Sequence, residues 1–233
     1  MTRIHMPGGV IEAAVKSTTL GAVEQRLART TRPESVRKQL SGVCLTRLPE
    51  ALFASAVVIV EGETDQAILE GCTIRDDPLN SHGIAVVEAG SKENIPLAHA
   101  ILCELGIPCF VLFDGDNGAG LRAEAHGKSG SMAEQSAANA NRRMQRYLDI
   151  AVEDHPFTQV GDRYAVLEDT MEAFLEEYWP EWESTRRSII ATGRGISGKN
   201  AATYRLAAIE APSRPPEVLS QIVNRAMALS PDC

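Results

Sequence analysis

The stretch Ala56-Val57-Val58-Ile59-Val60-Glu61-Gly62-Glu63-Thr64-Asp65 decides the fold of this 233-residue chain. Its first five residues form a short run rich in β-branched side chains, which is typical of a strand buried on both faces of a sheet. The acidic segment that follows leads into residues 66–70, which have helical spacing. A buried strand that passes through an acidic turn into a helix predicts the first part of a βαβ unit.

The same alternation continues along the chain. Further strands are predicted at 84–87, 108–113 and 164–167, and helices at 95–105 and 171–178. Strands and helices that alternate at this spacing favour an α/β fold, with a mainly parallel sheet flanked by helices.

The flanking segments predict an additional helical part. Residues 1–9 have the composition of a frayed lead-in, and residues 115–130 and 192–199 that of mobile or glycine-rich loops. Helices are predicted at 10–16, 20–29, 33–40, 131–150, 201–209 and 216–229. We therefore expect a helical lead-in segment at 1–50, a core at 51–178, and a C-terminal loop with helices at 179–233 that pack with the lead-in.

The composition limits the classes of ligand. Hydrophobic residues make up 44% of the chain and aromatic residues only 5%, so it has a soluble globular composition without stacking platforms for single strands. The formal net charge of −8 argues against general polyanion binding unless cations neutralise an acidic site. The basic residues concentrate near the N-terminus. They form either a solvated helix face or a surface that binds nucleic acid. They are Arg26, Arg29, Arg32, Arg37 and Lys38.

The cysteines and the apolar runs indicate a cytoplasmic protein. The five cysteines never form a Cys-x-x-Cys pair, so neither a disulfide framework nor a zinc site is indicated. We see no secretory signal, and runs such as residues 56–60 are far too short to span a bilayer.

Acidic residues follow several of the predicted strands. In a parallel sheet, residues after the carboxyl ends of strands meet at one edge. Hard cations such as Mg²⁺ prefer oxygen ligands, and a two-metal site needs roughly four to six converging carboxylates. One acid after a strand is more often a helix cap, but three acidic clusters are harder to explain in that way. The candidate metal ligands are Glu61, Asp65, Asp114, Asp116, Glu168 and Glu172.

The Asp114-Gly115-Asp116 segment suits such a site. In an extended segment successive side chains point to opposite sides, so both aspartate side chains would lie on the same side of the turn. Gly115 between them has no side chain and would permit another part of the backbone to come close.

These motifs resemble a known domain. The strings Val58-Ile59-Val60-Glu61-Gly62-Glu63-Thr64-Asp65 and Phe113-Asp114-Gly115-Asp116-Asn117 look like the Toprim domain of topoisomerases, primases, recombination mediators and OLD-family (overcoming lysogenization defect) endonucleases. Three further stretches are similar to the OLD family in particular, and the resemblance covers about residues 40–200. They are residues 45–54, Gly90-Ser91-Lys92 and Leu105-Gly106-Ile107-Pro108.

The resemblance implies an Mg²⁺-dependent (or Mn²⁺-dependent) endonuclease that cleaves DNA phosphodiester bonds by a two-metal mechanism. Glu61, Asp65, Asp114 and Asp116 match the acidic positions, and Glu61 and Asp114 are the expected catalytic carboxylates. A later glutamate is also implied, for which Glu168 and Glu172 both fit.

The resemblance further implies a late catalytic lysine, and Lys199 is the best match. Near the scissile phosphate it could stabilise charge in the transition state. The alternative is a solvated loop lysine, in which case Lys92 is the next candidate.

One departure from the family is large. OLD proteins carry an N-terminal ABC-type ATPase, and the P-loop pattern Gly-x-x-x-x-Gly-Lys-Ser/Thr is absent from this sequence. Helices that resemble an interdomain connection favour a fragment of a longer protein over a stand-alone relative. We expect DNA, that ATPase domain and, through it, a homo-oligomer as partners, and no membrane.

Three other functions stay open. One is another Toprim activity, of the primase or topoisomerase type. Another is a phosphatase in which Asp114 is the nucleophile and Asp116 the general acid. The third is an assembly module that keeps the fold without catalysis.

Overall fold

A computed structural model describes residues 2–5, 14–31, 33–43, 48–74 and 78–229. Five of the described strands form one sheet in the order β4-β3-β5-β7-β6, and two others form a separate hairpin. The strands are β1 (Thr2–His5), β2 (Ala14–Ser17), β3 (Ala56–Val60), β4 (Ile84–Glu88), β5 (Cys109–Asp114), β6 (Gln159–Val160) and β7 (Tyr164–Leu167).

The larger sheet is mainly parallel. Strands β3, β4, β5 and β7 run in the same direction, and only the short β6 is antiparallel to its neighbour. The α/β fold expected from the sequence is confirmed.

Helices cover both faces of this sheet. Their bounds are α1 (Leu20–Leu27), α2 (Pro33–Gly42), α3 (Glu63–Thr73), α4 (Pro78–Ser81), α5 (Ile95–Glu104), α6 (Ala119–Ala125), α7 (Gly130–Leu148), α8 (Met171–Tyr178), α9 (Pro180–Ala191), α10 (Ala201–Glu210) and α11 (Glu217–Met227). None of the described helices combines the length and the apolar character needed to cross a membrane.

Alternation along β3 divides the core into two layers. Val57 and Ile59 pack with α1, α2, α5 and α7, whereas Val58 and Val60 pack with α3, α4 and α8 to α11. The C-terminal helices therefore lie on the opposite face from α1 and α2, which differs from the expected packing between these two segments. The boundaries of the three segments stay a prediction.

Two local predictions were wrong. Residues 14–17 form β2, paired antiparallel with β1, where a helix over 10–16 was expected; residues 10–13 lie outside the described residues. Residues 2–5, expected to be frayed, form the partner strand, because such pairing depends on contacts that local periodicity does not contain.

Helix α6 also lies within the expected loop at 115–130. It packs against α7, where a Cβ atom added to Gly120 would lie 2.6 Å from Glu134 Oε1. The small residues that suggested a loop instead permit close helix packing.

Candidate functional site

The turn after β3 holds Glu61 and Asp65 at the edge of the sheet. Asp65 Oδ2 accepts a hydrogen bond from the Gly62 N–H at 3.0 Å, so it caps the start of α3. Glu61 Oε1 accepts one from the Asp114 N–H at 2.8 Å, which ties the ends of β3 and β5 together. The acids of the two motifs are therefore neighbours in space.

Gly115 lies where the backbone passes closest to β7. Its N–H donates to Leu167 O at 2.6 Å, and an added Cβ atom would lie 2.5 Å from Glu168 O. The predicted close approach at this glycine is present.

The predicted extended turn at Asp-Gly-Asp was wrong. Asp116 has φ of +56°, in the left-handed region that aspartate tolerates better than most residues. The Asn117 N–H donates to Glu168 O at 3.2 Å, so the segment wraps around the end of β7. This long-range pairing, rather than simple alternation, orients the two aspartates.

A buried ammonium group stands among these acids. Lys92 Nζ lies 2.7 Å from Asp116 Oδ2 and 3.8 Å from Glu61 Oε1, and the Lys92 side chain is only 5% exposed. Burial lowers the pKa of Lys92, but the charges of Glu61 and Asp116 outweigh that effect and raise it. Lys92 is therefore an internal cation of the site.

Asn141 connects Lys92 to the backbone of the Asp114-Gly115-Asp116 segment, which is called the aspartate loop below. Its Oδ1 accepts from Lys92 Nζ at 3.1 Å, and its Nδ2 donates to Gly115 O at 2.7 Å and to Asp154 O at 2.9 Å. The side chain is fully buried. Helix α7 thus anchors the segment after β5 that carries Asp116.

The other end of the site contains Glu172 and Lys199. Lys199 Nζ lies 2.9 Å from Glu172 Oε1, and the negative charge of Glu172 raises the pKa of Asp65. Glu168 is exposed, and its backbone carbonyl, rather than its carboxylate, contacts the aspartate loop. Of the two late glutamates, Glu172 is the one whose charge acts on Asp65.

An arginine bridges the outer acids. Arg122 Nη1 donates to Asp169 Oδ1 at 2.6 Å, and its Nη2 donates to Asp116 Oδ1 at 3.2 Å. Sequence reasoning missed Arg122, Asp169 and Asn141. For Asn141 a signal existed, because it lies on the same helical face as Ala138 and Gln145, which are also buried.

Crowding and burial make these carboxyl groups reluctant to ionise. Burial, more than the charges of Asp116 and Asp65, raises the pKa of Glu61 to about 7. Burial is also the main cause that raises the pKa of Asp65 to about 6 and that of Asp114 well above its usual range. A cation that enters this edge would therefore relieve a strong electrostatic penalty.

The donor chemistry fits a hard divalent cation. Carboxylate oxygens are the preferred ligands of Mg²⁺ and Mn²⁺. Among the described residues, however, no three carboxylate, imidazole or thiol groups form a cluster that could hold an ion in this arrangement. Lys92 and Lys199 supply the neutralising charge instead.

A known family model matches the part of the chain that contains the acids at the ends of β3 and β5. Residues 52–116 match the family described as "Overcoming lysogenization defect protein-like, TOPRIM domain". The segment from β3 through β5 is therefore similar to an OLD-like Toprim domain. The resemblance expected from the acidic motifs is confirmed, and the matched segment contains Glu61, Asp65, Asp114 and Asp116.

Among solved structures, the chain is similar to the C-terminal region of the Xanthomonas campestris pv. campestris OLD protein. The identity is 18% and the TM-score 0.45, over 77% of this chain and 95% of that one. No curated protein matches the chain.

Proposed function

We propose that this chain is an Mg²⁺- or Mn²⁺-dependent endonuclease that cleaves phosphodiester bonds of DNA. The observation that carries the proposal is the acidic cluster at the edge of the Toprim sheet. There the ends of β3 and β5 are joined through Glu61, and burial with mutual repulsion raises the pKa of Glu61, Asp65 and Asp114. A protein keeps such a costly arrangement of acids where a cation is to be bound.

Five carboxylates are proposed as the ligands of one or two cations. A bound cation would activate water and stabilise the leaving oxygen. The proposed ligands are Glu61, Asp65, Asp114, Asp116 and Glu172, with Glu172 preferred to Glu168 because its charge acts on Asp65.

The two lysines have different proposed roles. Lys199, whose side chain is 69% exposed, can reach a phosphate at the site and stabilise its negative charge. Lys92 is buried and ion-paired, so it positions Asp116 and does not contact substrate.

The OLD-like domain also supports two proposals about the full-length protein. An ABC-type ATPase domain precedes this region, and the protein assembles into a homo-oligomer through that domain. We place its activity in the cytoplasm.

The phosphatase alternative is disfavoured because it assigns roles to Asp114 and Asp116 alone. That reaction would leave Glu61 and Asp65 without a role, although Glu61 accepts a hydrogen bond from the Asp114 N–H.

The decisive experiment compares Asp114→Asn with Asp162→Asn, in cleavage of supercoiled and linear duplex DNA with Mg²⁺ or Mn²⁺. Asp162 is 90% exposed and pairs with Arg225, so its neutralisation is a matched control outside the site. We expect Asp114→Asn to lose on the order of a hundredfold or more in rate, and Asp162→Asn to cleave like the unmodified chain.

Equal cleavage by the two variants would show that the site lies elsewhere. Calorimetric titration with Mn²⁺ separates the enzyme from an assembly module, because a module would bind no ion tightly.

A further inference from the structure

The two oxygens of the Asp116 carboxylate both accept hydrogen bonds from cationic side chains. Lys92 Nζ donates to Oδ2 at 2.7 Å, and Arg122 Nη2 donates to Oδ1 at 3.2 Å. A divalent cation bound to Asp116 would lie close to both positive groups, and like charges repel at such distances. One of the two groups therefore has to move away before Asp116 can serve as a metal ligand.

Arg122 is the easier of the two groups to displace. Lys92 is 5% exposed and also donates to Asn141 Oδ1 at 3.1 Å, so its departure would leave buried polar groups without their partner. Arg122 is 42% exposed, and its hydrogen bond to Asp116 is the longer one. Water can replace that bond at little cost, because exposed ion pairs contribute little to stability.

Asp169 would keep Arg122 at the site after such a move. Arg122 Nη1 donates to Asp169 Oδ1 at 2.6 Å and to Oδ2 at 2.7 Å, so these two hydrogen bonds do not depend on Asp116. The pair lies against Gly118, where an added Cβ atom would lie 2.7 Å from Arg122 Nη1. The absence of a side chain at residue 118 leaves the room that this pair needs.

The basic surface expected near the N-terminus does not supply the donor to the aspartate loop. Arg26 is paired with Glu104, and Arg37 with Glu24, each at 2.9 Å. Arg32 lies outside the described residues. The donor comes instead from α6, which follows the aspartate loop and packs against α7.

We propose that Arg122 gates the metal site: it occupies Asp116 Oδ1 while no cation is bound, and it withdraws onto Asp169 when Mg²⁺ or Mn²⁺ binds Asp116. The inference rests on the proposed endonuclease function, which supplies the cation. It names one rearrangement that the site needs, since no three of the described acids form a cluster that could hold an ion in this arrangement. Arg122 is thus a positioning residue that acts through Asp116.

Calorimetric titration of the 233-residue chain with Mn²⁺, in the absence of DNA, tests the gate. Arg122→Gln should bind Mn²⁺ on the order of tenfold more tightly, because the donor that competes for Asp116 has been removed. A residue with only a structural role would weaken Mn²⁺ binding when lost, or leave it unchanged.

Arg225→Gln is the matched control. Arg225 is 51% exposed and pairs with Asp162, so it resembles Arg122 in exposure and in its aspartate partner. Asp162 precedes β7, whereas the acids of the site lie at the carboxyl ends of the parallel strands, at the opposite edge of the sheet. The control should bind Mn²⁺ like the unmodified chain.

Asp169→Asn separates the gate from the general field of a nearby charge. Without the Asp169 carboxylate, Arg122 should hold Asp116 more firmly, and Mn²⁺ binding should weaken by roughly fivefold. In the double variant with Arg122→Gln, the same substitution should change the affinity far less, because no guanidinium group is left to redirect. Two independent charges would instead give additive changes in the logarithm of the affinity.

The outcomes distinguish the gate from the proposed function. If the unmodified chain binds Mn²⁺ but Arg122→Gln binds it no more tightly, or if the two substitutions are additive, the gate is overturned and the metal site stands. If neither protein binds Mn²⁺, the proposed metal-dependent function fails as well. Thermal melting identifies a misfolded variant. Should Arg122→Gln misfold, Asp169→Asn decides: weaker binding supports the gate, and unchanged or tighter binding contradicts it.

Discussion

Lys92 shows how a single residue sets the charge of the acidic edge. Its ammonium group contacts Asp116 and lies near Glu61, and it is 5% exposed. The lysine is thus an internal cation that offsets the charge of the acids around it. Under the proposed function, a divalent ion and Lys92 would neutralise the same carboxylates.

Lys92→Met should therefore destabilise the metal-free protein and increase its response to metal. Removal of one member of a buried ion pair costs about 3–5 kcal/mol, because the remaining charges are left uncompensated. Mn²⁺ should then raise the melting temperature of Lys92→Met more than that of the unmodified chain. Lys128→Met, the loss of an exposed lysine, is the control. An equal Mn²⁺ response in all three proteins would contradict the shared role.

Lys199 is expected to act on turnover. It is largely exposed, and its ammonium group pairs with Glu172 at the site. Lys199→Ala should lower the single-turnover cleavage rate by about a hundredfold while DNA affinity in Ca²⁺ changes little, because its charge matters most in the transition state. An equal loss in rate and affinity would make it an ordinary binding residue. No loss in either rate or affinity would mean that Lys199 is a solvated loop lysine without a role in cleavage.

At the scale of elements, the contact between α3 and α10 holds together two helices that both begin at the site. Helix α3 starts at the acidic turn, and α10 starts just after Lys199, with Asn200 as its cap. A Cβ atom added to Gly71 would lie 2.7 Å from Arg205 O and 2.8 Å from Ala208 Cβ. The two helices can approach this closely only because residue 71 is glycine.

Gly71→Ala should push these helices apart and destabilise the protein by about 1–3 kcal/mol, as overpacking does. Gly42→Ala is the matched control. It is the last residue of α2 and has no heavy atom within 4 Å of the added Cβ, so helix propensity should stabilise that variant slightly, by less than about 1 kcal/mol. Thermal melting measures both changes. A shift of the same sign in the two variants would mean that the α3–α10 contact is not tight.

The contact between α5 and α7 should make stability depend on pH. His99 Nδ1 lies 2.8 Å from the Tyr147 hydroxyl. Burial, and then the charges of Arg26 and Arg163, lower the pKa of His99 to about 4. The folded state therefore keeps His99 neutral, whereas the unfolded state takes up a proton near pH 6.5. This contribution to stability is present above pH 6.5 and is lost as the pH falls toward 4.

Denaturant unfolding at pH 7 and at pH 4.5 tests this linkage. The unmodified protein should lose more stability between these two values than His99→Gln, which keeps a polar side chain but cannot titrate. Parallel losses in the two proteins would show that other groups cause the acid sensitivity.

At the scale of the whole molecule, cleavage by this 233-residue chain should not require ATP. The sequence has no P-loop pattern, and the carboxylate edge is built from residues of this chain alone. The measurement is DNA cleavage with Mg²⁺, with and without ATP, after residual nucleotide has been removed enzymatically. A strict requirement for ATP would contradict the prediction.

Sequence reasoning succeeded where the determining interactions are local. The β-branched run at 56–60 and the helical periodicity after it predicted β3 and α3, and Gly115 was correctly expected at a close backbone approach. It failed for β1, β2 and α6, because these elements depend on partners that are not local: a strand pairing and a helix contact.

By itself, the sequence determined the α/β class, the acids at the ends of β3 and β5, and the similarity of residues 52–116 to an OLD-like Toprim domain, because strand ends and short motifs are local properties. Only the tertiary structure decided how the charges are paired. Lys92 meets Asp116 across 24 positions and Asn141 across 49, and the charge of Glu172 rather than that of Glu168 acts on Asp65. Electrostatic interactions depend on distance in space, and helix packing sets that distance.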